Sequence, residues 1–266
     1  MIRDITLGQY YPADSVLHRL DPRVKLCGTL LYVISLFLFQ SFTGYIVASV
    51  FLVSMIVLSH VPVSFMFRGL KAVLILLILT AVLNVFLTPG RELVTFWKIT
   101  ITIEGLRLAG FMVLRLVYLI IGSSIMTLTT TPSNLTDGLE KGLGWMKILK
   151  VPVHEIAMMM SIALTFIPVL LEETDKIIKA QQSRGADFDS GNIIRRAKAL
   201  VPILVPLFVS AFRRANDLAI AMEARCYRGG DGRTKLHPLK YVMRDYIAYA
   251  VLIIYLGAIL VVGFVL

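Results

Sequence analysis

Residues 246–266 read YIAYAVLIIYLGAILVVGFVL, a run of 21 residues with no charge after Asp245. As a helix rising 1.5 Å per residue it covers about 30 Å, the hydrocarbon thickness of a bilayer. Reading it as a membrane span agrees with the whole composition. Of 266 residues, 57% are hydrophobic and only 17% charged, too little polar surface for a water-soluble domain of this size. Lipid-facing helices remove the mismatch, because their outsides are as apolar as their insides.

Four further apolar runs fill the first half: roughly Leu26 to Phe39, Tyr45 to Leu58, Val73 to Leu87 and Leu106 to Thr127. A span needs about 20 apolar residues, so the first two require flanking residues such as Val24 and Val61. Gly44 offers a tight turn between them, and they read as an antiparallel pair. The start of the chain carries Asp4, Asp14 and Asp21 without a signal-peptide pattern, so the first run is expected to be retained as a membrane helix. The expected fold is an all-α membrane protein of about five transmembrane helices. Its sections are residues 1–130 with four spans, 131–245 as a cytoplasmic section of long helices, and 246–266 as the last span.

The middle section is set apart by charge, holding 17 of the 27 Lys and Arg and 12 of the 17 Asp and Glu. Cytoplasmic segments of membrane proteins collect Lys and Arg. With the N-terminus inside, the inner segments gather 23 basic residues, and the outer ones only Arg91 and Lys98. The net charge of +10 therefore points to cytoplasmic loops and anionic lipid headgroups. Nucleic acid is not indicated, since no basic stripe interleaved with aromatics is present. Arg107 and Arg115 fall inside the fourth span, where an Arg faces protein or water or snorkels to an interface. Arg107, near the outer end, is expected to snorkel, and Arg115 to face another helix or a partner subunit.

After Thr129-Thr130-Thr131-Pro132-Ser133, with Thr131 or Ser133 as a cap, Leu135, Leu139, Leu143 and Met146 mark a short amphipathic helix. It either packs on neighbouring helices or lies at the membrane surface. A long helix follows from about His154 to Ser183, with Pro168 as a kink. Its first half is apolar, but a sixth span there would carry the charged residues 172–245 outside. Asn192 starts the next long helix, past Pro202 and Pro206; its apolar core, Ala199 to Phe212, is 14 residues and reads as too short to span. Arg228-Gly229-Gly230-Asp231-Gly232-Arg233 reads as an exposed loop.

The two long helices end alike, at Ser183-Arg184-Gly185 and Ala224-Arg225-Cys226. One Arg in a last helical turn is explained by the helix dipole. Two such ends in one basic section point to a pair of docking points, each offering a guanidinium fork to carboxylates or carbonyls.

At these residues the chain resembles the transmembrane T component of energy-coupling factor (ECF) vitamin transporters, which carries two short Ala-Arg-Gly-type motifs. The resemblance covers most of the chain. It includes His18-Arg19-Leu20-Asp21-Pro22-Arg23-Val24-Lys25-Leu26, Thr130-Thr131-Pro132-Ser133-Asn134-Leu135, Glu155-Ile156-Ala157-Met158 and Phe166-Ile167-Pro168. It also takes in Arg214-Ala215-Asn216-Asp217-Leu218-Ala219 and Ala221-Met222-Glu223-Ala224-Arg225. The resemblance implies a scaffold in the bacterial plasma membrane whose long cytoplasmic coupling helices cross near their ends. Ser183, Arg184, Gly185, Ala224, Arg225 and Cys226 would dock two ABC-type ATPase subunits. A separate membrane subunit would bind the vitamin, and closure of the ATPase pair would be transmitted to it. Ser183 stands where Ala is usual and Cys226 where Gly is usual. Without Gly a left-handed cap costs more, so the second helix is expected to end differently.

Competing readings are weaker. Two cysteines, Cys27 and Cys226, about 200 residues apart, do not suggest an extracellular disulfide scaffold. The four histidines are scattered, and His154-Glu155 lacks a second His one turn away, so no metal site or other cofactor is indicated. No Gly-Lys-Ser/Thr phosphate loop is present, so the chain is not expected to be an enzyme and ATP hydrolysis must come from a partner. A stand-alone transporter would carry polar groups along its spans. The first three runs have almost none beyond Asn84.

Overall fold

The computed structural model describes residues 10–39, 41–96, 99–186, 193–230 and 238–265. In chain order the elements are α1 (Pro22–Ser35), α2 (Phe42–Ser59), α3 (Val63–Leu87), β1 (Glu92–Phe96), β2 (Ile99–Thr102), α4 (Ile103–Thr129) and α5 (Pro132–Gly142). A 3₁₀ turn, Gly144–Leu149, then leads to α6 (Val153–Ser183), α7 (Ile193–Ala224) and α8 (Met243–Val265). The chain forms two compact units, Gly8–Gly142 with Leu239–Leu266, and Leu143–Pro238.

The fold is helical, as expected, and five helices among the described residues are long and apolar enough to cross a membrane: α2, α4, α6, α7 over Lys198–Ala224, and α8. The number matches the expectation; the membership does not. With 14 residues, α1 covers about 21 Å and is not among them. By contrast α6 and α7 qualify on length and composition, although the apolar core of α7 had read as too short. Any 18-residue stretch there takes in Arg213 and Arg214, whose long stems can lie along apolar surface. A sixth candidate arises if Val63–Lys71 and Val73–Leu87 of α3, bent by 61°, form one span.

In the first unit the starts of α1, α2, α4 and α5 follow from their sequences. Asp21 caps α1 by accepting from the Arg23 amide, with Pro22 in the first turn, where its missing N–H has no partner to lose. Ser41 caps α2 through the Gly44 amide and Thr102 caps α4 through the Gly105 amide. Thr131, rather than Ser133, accepts from the Asn134 amide at the start of α5. Gly44 is not the turn residue. It lies in the first turn of α2, where an added Cβ would run into the Phe39 ring. The backbone of α1 packs against α4, α5 and α8 rather than chiefly against α2, so the expected antiparallel pair is replaced by a four-helix arrangement. Among the described residues α5 ends at Gly142, short of Met146, and packs on α1: Gly138 sits close to Pro22 and Leu26.

β1 and β2 pair antiparallel with Phe96 opposite Ile99. The sequence reading had no strands here. Val, Ile and Thr across 94–102 suit a pleated backbone, and Thr102 ends the hairpin by capping α4.

Aromatic rings stack through the core of the first unit, among aliphatic side chains such as Leu36, Leu52, Met66 and Ile259. Phe51 of α2 stacks on Tyr255 of α8 at 4.1 Å between centroids, and Tyr32 of α1 stacks on Phe51 at 5.9 Å. The buried tyrosine hydroxyls of this core find partners: Tyr255 with the Ser35 hydroxyl (2.8 Å), Tyr32 to the Tyr118 carbonyl (3.3 Å) and Tyr45 to the Phe111 carbonyl (3.2 Å).

Where α1 and α8 begin, a polar knot joins residues 224 positions apart. The Asp245 carboxylate, 3% exposed, accepts from the Asp21 amide at 2.9 Å and the Val242 amide at 2.8 Å. Asp21 holds Arg23 at 3.0 Å, and the Arg23 guanidinium lies 4.0 Å over the Tyr241 ring. Beside it, Lys25 donates to the carbonyls of Thr129 (2.8 Å) and His18 (3.2 Å). Replacing Asp245 by Ala strands two backbone N–H groups, a loss of about 2–4 kcal/mol. Thermal unfolding of the detergent-solubilised chain should drop by several degrees in Asp245→Ala, and hardly move in Arg244→Ala, whose side chain is exposed.

Candidate functional site

In the second unit α6 and α7 run antiparallel. Gln181 of α6 donates to the Pro202 carbonyl of α7 at 3.4 Å, and Glu173 pairs with Arg214 at 3.2 Å. Beyond α7, Gly230 lies against the His154 ring at the start of α6. The end of α6 therefore lies beside the early part of α7, and the end of α7 beside the start of α6. From Pro202 to Arg225 is about 35 Å of helix at 1.5 Å per residue. The two Arg-bearing ends thus sit at opposite ends of one helix pair. The sequence reading quoted Arg214 only within a stretch of resemblance and did not pair it with Glu173; the signal was opposite charge in the second halves of two long helices.

The end of α6 is built by backbone geometry. Arg184 follows the last helical residue with φ −88° and ψ 6°, and Gly185 is left-handed at φ +87°. The Gly185 amide donates to the Gln182 carbonyl at 2.9 Å and the Ala186 amide to the Gln181 carbonyl at 3.0 Å. These are the two bonds of a Schellman cap. The end of α7 repeats both bonds: the Cys226 amide to the Glu223 carbonyl at 2.8 Å and the Tyr227 amide to the Met222 carbonyl at 3.0 Å.

The expectation that Cys226 would end α7 differently is corrected here. Cys226 takes the left-handed conformation itself, at φ +55°. An L side chain there is disfavoured by about 1–2 kcal/mol, and the two carbonyls satisfied by the cap offset part of that.

All six expected residues, Ser183, Arg184, Gly185, Ala224, Arg225 and Cys226, are exposed. Among the described residues neither guanidinium is tied to a carboxylate, while each stands where a helix presents its carbonyl ends and negative dipole. Five donors in a planar fork are free to engage acceptors on another protein. Cys27 and Cys226 are both free thiols.

A helical chain in which five helices among the described residues are long and apolar enough to cross a membrane has the build of a multi-pass membrane protein. The comparisons give the family. A model described as CbiQ, cobalt transport protein, matches residues 13–236, and the chain belongs to that family. It is 58% identical over 250 residues to the energy-coupling factor transporter transmembrane protein EcfT of Clostridium kluyveri, covering 93% of each chain. It is 52% identical over 248 residues to the protein of that name from Thermosediminibacter oceani, covering 93% of this chain and 94% of the relative. For the protein of that name from Lactococcus lactis the identity is 44% over 245 residues, covering 92% of both chains. The chain is thus a multi-pass membrane protein and the transmembrane component of an energy-coupling factor transporter.

The two caps respond oppositely to substitution. Cys226→Gly removes the strain and should slow amide exchange at Tyr227 several-fold, in line with about 1 kcal/mol of local stabilisation. Gly185→Ala, where an added Cβ meets nothing within 4 Å and only the backbone resists, should speed exchange at Ala186 by a similar factor. Hydrogen–deuterium exchange resolved at the two helix ends checks both.

Proposed function

We propose that this chain is the coupling subunit of its transporter, with Arg184 and Arg225 each seated in one of two ABC-type ATPase subunits. The observation that carries the reading is the duplication of one exposed Schellman end, Arg included, at the two opposite ends of an antiparallel helix pair. One partner surface would explain one such end. Two equal ends about 35 Å apart along the helix suit two equal partners, one at each.

The remaining surface of α7 fits a third component. Leu200, Leu204, Phe208 and Phe212 recur every four residues and are exposed, Phe212 by 72%. A stripe this apolar belongs against lipid or another membrane protein, and we assign it to the substrate-binding membrane subunit. Movement of the ATPases, applied at the helix ends, would then reach that subunit through α6 and α7.

This arrangement sets the N-terminus and the helix ends on the cytoplasmic side of the bacterial plasma membrane. Were α6 and α7 to cross the bilayer, Arg184, Arg195 and Arg196 would lie on the far side, against the asymmetry of Lys and Arg. Two measurements test the proposal. In intact cells a membrane-impermeant maleimide should leave both Cys226 and an introduced Ser183→Cys unlabelled, and should label both after permeabilisation; labelling of Ser183→Cys in intact cells would refute the sidedness. Charge reversal of both ends, Arg184→Glu with Arg225→Glu, should abolish co-purification of the ATPases while the protein remains inserted. If both ATPases are still recovered, the docking assignment is wrong.

A further inference from the structure

The two arginines within α4 are unexplained by the helix ends. Both line one cleft of about 610 Å³ in the first unit, with Phe39, Ser41, Glu104 and Phe111 among its other walls. Arg115 reaches back along its helix to donate to the Phe39 carbonyl at 3.3 Å, just past the end of α1, and its guanidinium carbon lies 5.2 Å from the Phe37 ring. Its Nε is buried with no hydrogen-bond partner. Arg107 makes no hydrogen bond among the described residues; its guanidinium lies 5.5 Å from the Phe111 ring. Neither has a carboxylate partner there. Glu104, also in the cleft, accepts from the Arg91 amide at 2.7 Å.

Two guanidiniums on one wall of a membrane-helix cleft, one with a stranded buried N–H, call for a counter-anion, because an unpaired charge among membrane helices is costly. We propose that the cleft binds an anionic phospholipid whose headgroup carries hydroxyl donors. Its phosphodiester lies between Arg107 and Arg115, with a headgroup hydroxyl donating to Glu104. Charge supports this assignment: two cations and one carboxylate leave a net +1, which one phosphodiester neutralises. The guanidinium fork matches phosphate oxygens geometrically. The rim supports it too, since Leu38, Leu108 and Met112 are exposed beside the cations and offer apolar surface to acyl chains. A soluble anion would have no use for that rim.

The test is lipid titration of the full-length chain in detergent, followed by native mass spectrometry. The unsubstituted chain should retain one phosphatidylglycerol under conditions that strip phosphatidylcholine, which has the phosphodiester but no hydroxyl donor. Arg107→Gln with Arg115→Gln should weaken phosphatidylglycerol binding about tenfold or more. Because Arg115 also holds the Phe39 carbonyl, the double variant can fail to fold. Arg107→Gln alone then carries the test, with an expected loss of at least threefold, and Arg107→Lys should recover part of it. An unchanged preference for phosphatidylglycerol in Arg107→Gln overturns the proposal. So does equal retention of phosphatidylcholine, or displacement of the lipid by millimolar inorganic phosphate, which would mark a site for free anions.

Discussion

The Asp245 carboxylate, accepting the amide of Asp21 across 224 residues, is the contact on which the membrane unit depends. It fixes where α8 begins relative to α1, and that in turn places Tyr255 on Phe51 and Ser35. The physical demand behind it is general. In the hydrocarbon core there is no water to satisfy a backbone group, and a helix end packed inside the protein is cut off from it too, so the protein must do so itself. Three other charges answer the same demand in the same unit. Lys25 donates to the Thr129 carbonyl at the end of α4, Arg115 to the Phe39 carbonyl past α1, and Arg23 to the Leu239 carbonyl ahead of α8. Charged residues here are chiefly fasteners between helix ends distant in sequence.

Seen this way, the ends of α6 and α7 are exceptions. Their amides and carbonyls are satisfied locally by Schellman bonds, so no side chain from elsewhere is needed. Among the described residues neither Arg184 nor Arg225 is tied to a carboxylate. Because the cap already orders the backbone of each end, a partner engaging the Arg there, as proposed above, would cost only the ordering of that side chain. The same economy explains why Cys226 is tolerated at φ +55°. The bonding pattern of the end is what both helices keep, and the residue at the left-handed position can vary at a cost of about 1–2 kcal/mol.

Sequence reading recovered the membrane class, α2, α4 and α8, and the two helix ends, because continuous apolarity and local cap chemistry are written in neighbouring residues. It failed where the answer depends on distant ones. Leu26–Phe39 looked like one helix, but α1 stops at Ser35, whose hydroxyl turns back to the Tyr32 carbonyl and out to Tyr255. Gly44 looked like a turn, whereas its role is to admit the Phe39 ring. Asp245 read only as the last charge before an apolar run, since its partners lie at the other end of the chain. The spacing of Arg107 and Arg115 was visible, but their common cleft was not, because Phe39 comes from the segment past α1 and Val262 from α8.

The prolines bear on how the second unit can work. Pro168 in α6 and Pro202 and Pro206 in α7 each remove one backbone hydrogen bond from the helix interior. Gln181 donates to the carbonyl of Pro202, so the contact near the Arg184 end falls where α7 has lost its own bonding. The contact nearer the Arg225 end, Glu173 with Arg214, lies between ionic side chains that are partly exposed and so only weakly held. Among the described residues the polar links between α6 and α7 are one side-chain amide and one partly exposed ion pair, and each helix is interrupted by proline. In the coupling role proposed above, load applied at either Arg end would be taken up by sliding or bending of α6 against α7. A coupling element of that kind has to be stiff enough within each helix to carry displacement over tens of ångströms, and loosely enough joined between helices to move.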